Sequence, residues 1–403
     1  MSIDRKSIEY MYNSLSQRTR SRLKHAVQLI VKAKERGGKV VAVIGSGPNL
    51  HEGVTTLIAE LMHKGIIDGV STSSAVINHE MAGTLEKVKR VDGETLGFER
   101  SRLPSDGRLE VSILSKAMLE EFERVIDIDK TLYRRMRRAK GDIIIKVAGN
   151  MAYPLGLYTE RIARDVLALS KRHGVPFELM AGLGADRLTM IGAGAACKIP
   201  VLVTVPQLIG GGEVGLSVGD SLSVSERCHR LARLLEGADV IIESAIALSQ
   251  EIHDGPFERF TGHGIWADWE GGWTFSIADK NIVRIDLDPN LEKAWLYERR
   301  SGSISNAVHR GLPKTKDLKI PFRMEMSGFA RIPGSLPIVG DIGEIWPILA
   351  TMVADSLGVR LDFMCYKQSI SAGREVREWI VKHVRPINKE LMLKSTVEFA
   401  EIG

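Results

Sequence analysis

The chain has 403 residues, 44% of them hydrophobic and 26% charged, with a formal net charge of +5. That is enough apolar material for a sizeable core, and a charge spread too thinly to require nucleic acid. Three distant cysteines without CxxC spacing exclude a disulfide framework and a cysteine-based zinc site. No run of about 18 apolar residues is available to span a membrane, and the polar N-terminus lacks the apolar centre of a signal peptide. A cytoplasmic protein without a membrane partner is the expectation.

Residues 1–38 read as a helical arm. Leu23, Val27, Ile30 and Val31 share one face, and Gly37-Gly38 closes the segment. From Lys39 to about residue 300 apolar runs alternate with helical segments. The strands expected are "VVAVIG", "IDGVSTSSA", "DIIIKVAGN", "PFELMAG", "PVLVTVP", "ADVIIESAIA" and "NIVRIDLDPN". The helices expected between them include "TTLIAELMHKG", "ERIARDVLALSKRHG", "DRLTMIGAGAACKI" and "SERCHRLARLLEG". This pattern predicts an α/β fold with a doubly wound, mostly parallel sheet. Residues 101–126 read as a loop and helix inserted between core units. Residues 301–403 read as an extension ending in amphipathic helices that either finish the core or form a small cap.

Ligands of such a sheet sit beyond the carboxyl ends of its strands, so the loops there are where function is sought. The first is "GSGPN", with Gly45, Ser46, Gly47 and Asn49; it suits either a nucleotide loop or a plain strand-to-helix turn. The second is the hydroxyl run Ser71, Thr72, Ser73 and Ser74, whose donors suit phosphate or ribose oxygens. A third is Gly210, Gly211 and Gly212, where bare backbone admits close approach. Asp286 and Asp288 end a strand, the place where an acid holds ribose hydroxyls. The glycines of "MIGAGAACK" precede a strand instead of following one, so they read as helix packing.

Candidates for chemistry are His79 and Glu80, an imidazole beside a carboxylate, and Glu213 in the triple-glycine loop. His79 and Glu80 equally suit an ordinary helix start capped by Asn78. Lys146, inside an apolar strand, reads as a lysine whose amine reaches solvent or a carboxylate. The segment from Trp266 to Trp273 is either a wall for a cationic substrate or a hydrophobic flap. His253 and His263 show no metal-ligand spacing with a third ligand, so no metal is expected.

On "GSGPNLHEGVTTLIAELMHKGIIDGVSTSSAVINHE", "KIPVLVTVPQLIGGGEVG" and "LLEGADVIIESAIALSQ … NIVRIDLDPN" the chain resembles the deoxyhypusine synthase-like, Rossmann-like NAD-binding fold. It is most similar to the C-terminal domain of archaeal-type ornithine cyclodeaminases and of LOR-SDH family proteins, over residues 39–300. The resemblance implies NAD held at Gly45–Asn49, Ser71–Ser74 and Asp286. It implies an enzyme that removes a hydride from an amine carbon to give an imine and later returns it, acting on an amino acid or polyamine. No tryptophan-glycine-lysine stretch follows Gly255, so deoxyhypusine synthesis is not the expected reaction. A homo-oligomer, dimer or tetramer, is expected. The alternative is a non-catalytic nucleotide-binding or sensing protein of the same fold.

Overall fold

The computed structural model describes residues 3–45, 47–149, 152–203, 211–244, 277, 279–286, 300–302 and 335–402. Strands β1 (Val40–Ile44), β2 (Gly69–Thr72), β6 (Val201–Val203), β7 (Val240–Ser244), β8 (Asn281–Asp286) and β9 (Leu336–Val339) form a six-stranded sheet. Every pairing in it is parallel. The spatial order is β6-β2-β1-β7-β8-β9. Counting only these strands along the chain, that is 3-2-1-4-5-6, the order in which dinucleotide-binding sheets are built. The chain reverses its direction of progress across the sheet between β1 and β7.

Both faces of the sheet are covered, which is why β1 and β7 are buried along their full length. Side chains alternate between the faces. Val41, Val43 and Ile241 pack with Leu231, Ala232 and Leu235 of helix α12 (Val224–Glu236). Val40, Ala42, Ile44 and Ile242 belong to the larger core on the opposite face. There α2 (Gln17–Glu35) lies against β1, β7 and β9 and against α13 (Ile342–Leu357). The N-terminal helix expected to pack on the core or on another subunit thus packs on the core. Helix α1 (Arg5–Ser14) joins the same layer through a two-pronged Arg5–Asp355 pair at 2.6 and 2.7 Å. Among the described residues no helix is long and apolar enough to cross a membrane.

Three segments differ from the sequence expectation. The stretch "DIIIKV" is not a core strand: β5 (Gly141–Val147) pairs antiparallel with β3 (Leu85–Asp92), which pairs antiparallel with β4 (Arg108–Ser112). This separate three-stranded sheet is ordered β4-β3-β5. Three consecutive isoleucines look like a strand buried on both faces, yet Ile143 is 59% exposed on an edge strand. Residues 101–126, expected as loop and helix, contribute β4 before α6 (Lys116–Glu123). "PFELMAG" is helix α9 (Phe177–Gly182) following Pro176; a short apolar run does not tell strand from helix by periodicity.

The edge strand β6 is closed by a buried ion pair. Glu178 of α9 accepts the Val203 backbone N–H at 2.7 Å and pairs with Arg227 of α12 at 2.5 Å. Arg227 also donates to the Val203 and Val218 carbonyls. The backbone N–H and carbonyl of Val203, which this edge strand would otherwise offer to another chain, are taken by this pair. Removing one partner of a buried pair leaves the other charge uncompensated. Arg227→Met is therefore expected to lower the unfolding free energy by about 3–5 kcal/mol in urea titrations. Arg230→Met, on the same helix and paired among the described residues with exposed Glu226, should change it by less than about 1 kcal/mol.

Candidate functional site

The reversal point lies where the ends of β1 and β7 part, and the "GSGPN" loop leaves β1 there. The Gly45 N–H donates to the Ser244 carbonyl at 3.2 Å, continuing the β1–β7 ladder by one residue. Asn49, fully buried in α3 (Pro48–His51), donates from Nδ2 to the Gly45 carbonyl at 3.0 Å. Its Oδ1 accepts the Ser244 hydroxyl at 2.7 Å. The same hydroxyl accepts the Trp346 indole N–H of α13 at 2.9 Å. The loop is thus clamped by its own asparagine, and Asn49 directs its side chain to the fold. Gly47 adopts φ +69°, and among the described residues beyond its chain neighbours no atom lies within 4 Å of where its Cβ would stand. It stands at the reversal point, uncrowded by the other described residues.

The hydroxyl run ends the neighbouring strand β2. Ser71, Thr72, Ser73 and Ser74 are all buried. Thr72 Oγ1 donates to the Ile44 carbonyl at 2.7 Å, tying the ends of β1 and β2 together. Ser73 caps α5 (Ser74–Met81) by accepting the Val76 N–H. The structure therefore brings Gly45, Gly47, Asn49 and Ser71–Ser74 to one stretch of the sheet edge. Gly211 and Gly212 open α11 (Gly212–Ser221), where Gly212 has φ +53° and the Glu160 carboxylate stands 2.7 Å from its would-be Cβ. Asp286 is the last residue of β8; its side chain, Ser46, Gly210, Asp288 and the Trp266–Trp273 segment lie outside the described residues.

His79 is on α5 and buried. Its Nδ1 is 2.7 Å from the Ala148 carbonyl, which can only accept, so the neutral ring carries its proton on Nδ1 and keeps a lone pair on Nε2. Burial, with help from His51 and the Lys146 ammonium, holds it down to about 4, so it is neutral at pH 7. Lys146 pairs with Glu110 at 2.5 Å across the second sheet, in line with the reading of its amine as reaching a carboxylate. Directly across from Lys146 on β3 is Glu86, which accepts the Gly149 N–H at 3.0 Å. Burial raises Glu86 to about 7. Glu52, just beyond α3, is likewise raised to about 7 by burial and accepts the Gln368 N–H at 2.6 Å.

The two other candidate acids have different surroundings. Glu80 is fully buried, and its two oxygens accept the Met190 and Ile191 N–H groups at 2.8 and 3.1 Å. Those are the first N–H groups of α10 (Met190–Cys197), so both oxygens of Glu80 are engaged in capping that helix. Burial raises it to about 8. Glu213 pairs with Arg164 of α8 (Leu155–His173) at 3.2 Å, with Arg164 largely in solvent. Neither touches His79 through a hydrogen bond or ion pair among the described residues. Sequence reasoning passed over Ser244, Trp346 and the buried pair Arg284–Glu243, 3.0 Å apart on paired positions of β8 and β7. The one available signal was an acid and a base placed alike inside the apolar runs "VIIES" and "NIVRI".

Two measurements follow from this geometry. Asn49→Ala removes both clamp bonds and leaves the Gly45 carbonyl without that donor, so a loss of about 2–3 kcal/mol is expected in chemical denaturation. For His79 the folded value lies below the ordinary 6.5, so the unfolded chain takes up the proton first as pH falls. Between pH 6.5 and 4 this group removes about 3 kcal/mol of stability. Glu52, Glu80 and Glu86 act in the opposite sense, because their folded values are raised. The test is therefore the difference between wild type and His79→Gln, which should shift against wild type by that amount over this window.

No family model matches the chain, and no curated protein matches it. Among solved structures it is similar to a mutant of AgrE in complex with L-arginine, at 15% identity and a TM-score of 0.40, over 89% of this chain and 34% of that one. It is similar to the ternary complex of AgrE with ornithine and NAD+, at 14% identity and a TM-score of 0.41, over 85% of this chain and 34% of that one. It is also similar to a LOR/SDH protein from Methanococcus maripaludis S2, at 10% identity and a TM-score of 0.41, over 86% of this chain and 72% of that one. The chain spans about a third of the length of the AgrE structures it matches.

Proposed function

We propose that this chain is an NAD-dependent enzyme of the deoxyhypusine synthase-like fold, acting on an amino acid or polyamine by transient removal of a hydride from an amine carbon. The observation that carries the reading is the strand order, which reverses between β1 and β7 and puts the open backbone of Gly47 at the reversal. The residues present fit a dinucleotide: among the described residues nothing crowds the Cβ position of Gly47 or accepts its backbone N–H, and the loop that carries it is held by Asn49 and Ser244. The chemistry such a group supplies when bound is reversible acceptance of a hydride. Gly45, Gly47 and Ser71–Ser74 would hold it, with Asp286 at the strand end beyond the reversal.

His79 is the residue assigned to the proton. The Ala148 carbonyl fixes one tautomer and one ring orientation, and Nε2 is left to accept. A neutral imidazole does not repel a cationic amine. Glu86 and Glu52, raised to about 7 by burial, titrate in the neutral range. The engagement of Glu80 and Glu213 elsewhere favours a second reading, a nucleotide-binding protein without chemistry.

Thermal-shift titrations with NAD, NADH, NADP, ADP and ATP test the binding. A dinucleotide that binds only the folded state adds about 2.7 kcal/mol at a hundredfold excess over its dissociation constant. A shift with NAD is expected in wild type and in His79→Gln, and its loss is expected in Gly47→Ala. No shift with any nucleotide overturns the proposal. With NAD bound, an amino-acid and polyamine panel should give NADH absorbance in wild type and at least about a hundredfold less in His79→Gln. Binding without absorbance for any amine selects the second reading.

A further inference from the structure

The end of the molecule opposite this site carries a nucleophile and a base that the proposed reaction does not use. His63 is the last residue of α4 (Val54–His63), and Cys197 is the last residue of α10. Both helices run back from the carboxyl edge of the sheet, or lead into the start of β6, so both residues stand at its amino edge. Cys197 Sγ is 3.1 Å from His63 Nδ1, and His63 Nε2 is 2.8 Å from the Arg187 carbonyl.

That carbonyl decides the chemistry. A carbonyl only accepts, so the neutral His63 ring carries its proton on Nε2 and presents a lone pair at Nδ1. The thiol is therefore the donor, aimed at a base held in place from its far side by a third group. Nucleophile, base and orienting acceptor in line is the arrangement that activates cysteine and serine nucleophiles. The three cysteines are not equivalent. Cys228 and Cys365 are buried, whereas Cys197 is partly exposed.

We propose that Cys197 is a reactive thiol with His63 as its base, a modification site for small disulfides and soft electrophiles. The thiol proton passes to His63 Nδ1, giving a thiolate beside an imidazolium whose other N–H remains on the Arg187 carbonyl. With a small disulfide, the Cys197 sulfur attacks one sulfur of the reagent. A new S–S bond forms, the reagent's own S–S bond breaks, and the departing thiolate takes the proton held by His63. Cys197 is oxidised to the mixed disulfide and half of the reagent is reduced to a thiol, so no further oxidant is needed.

The test uses the full chain with glutathione disulfide and, separately, iodoacetamide, followed by peptide mass spectrometry. Cys197 should react faster than the free thiol N-acetylcysteine amide, while Cys228 and Cys365 stay unmodified. His63→Gln should slow Cys197 by on the order of a hundredfold, the lower end of what a positioned base contributes, with the other two cysteines still protected. A wild-type Cys197 no faster than the free thiol, or an unchanged rate in a folded His63→Gln variant, overturns the proposal. Labelling of Cys228 and Cys365 in the variant would show that its fold is lost; the wild-type rate against the free thiol then decides alone.

Discussion

The Ser244 hydroxyl is the group on which the candidate site depends. It has one proton to give and lone pairs to offer, and it uses both: it donates to Asn49 and accepts from Trp346. Through one oxygen atom the end of β7, the loop after β1 and helix α13 are fixed to one another. Each of these comes from a different part of the chain, 195 residues separating Asn49 from Ser244 and 102 separating Ser244 from Trp346. The consequence is local rigidity where a doubly wound sheet must open a crevice. Gly47 can remain bare because the residues around it already hold the loop.

Burial elsewhere in the molecule follows a similar economy. Ionisable groups inside the fold are set against backbone groups that need a partner. Glu80 satisfies the start of α10, Glu178 satisfies the edge of β6, and Glu52 takes the Gln368 N–H. A buried carboxylate is costly in isolation, and backbone donors at a helix start or a strand edge are costly too. Bringing them together offsets both. His79 belongs to this set by its bond to the Ala148 carbonyl, but differs in keeping a second nitrogen uncommitted to that bond.

Much of the architecture was legible because β1, β7 and β8 are short apolar runs of β-branched residues, and the helices between them show clear stripes. The second sheet was not, because Lys87, Lys89 and Arg90 interrupt the alternation of β3 and because Ile143–Ile145 imitate a core strand. For the site, the glycine and hydroxyl loops could be found from their place after strands. What the acids do could not. Glu80 next to His79 looks like half of a catalytic pair until Met190 and Ile191, 110 and 111 residues further on, are seen to claim it. Such claims come from tertiary contact and leave no local pattern. The strand order itself, which locates the crevice, is equally a property of the assembled sheet.

Helices α2 and α13 share one layer on one face of the parallel sheet, though more than 300 residues lie between them. During synthesis α2 emerges early with an apolar stripe that has no completed sheet to rest on. The face formed by Val40, Ala42, Ile44 and Ile242 stays only partly covered until α13 and β9 have been made. Until Trp346 has been made, the Ser244 hydroxyl lacks its indole partner and the clamp at the reversal point is incomplete. Layers joined over such a sequence separation close later than layers that close in sequence order, and apolar surface stays uncovered meanwhile.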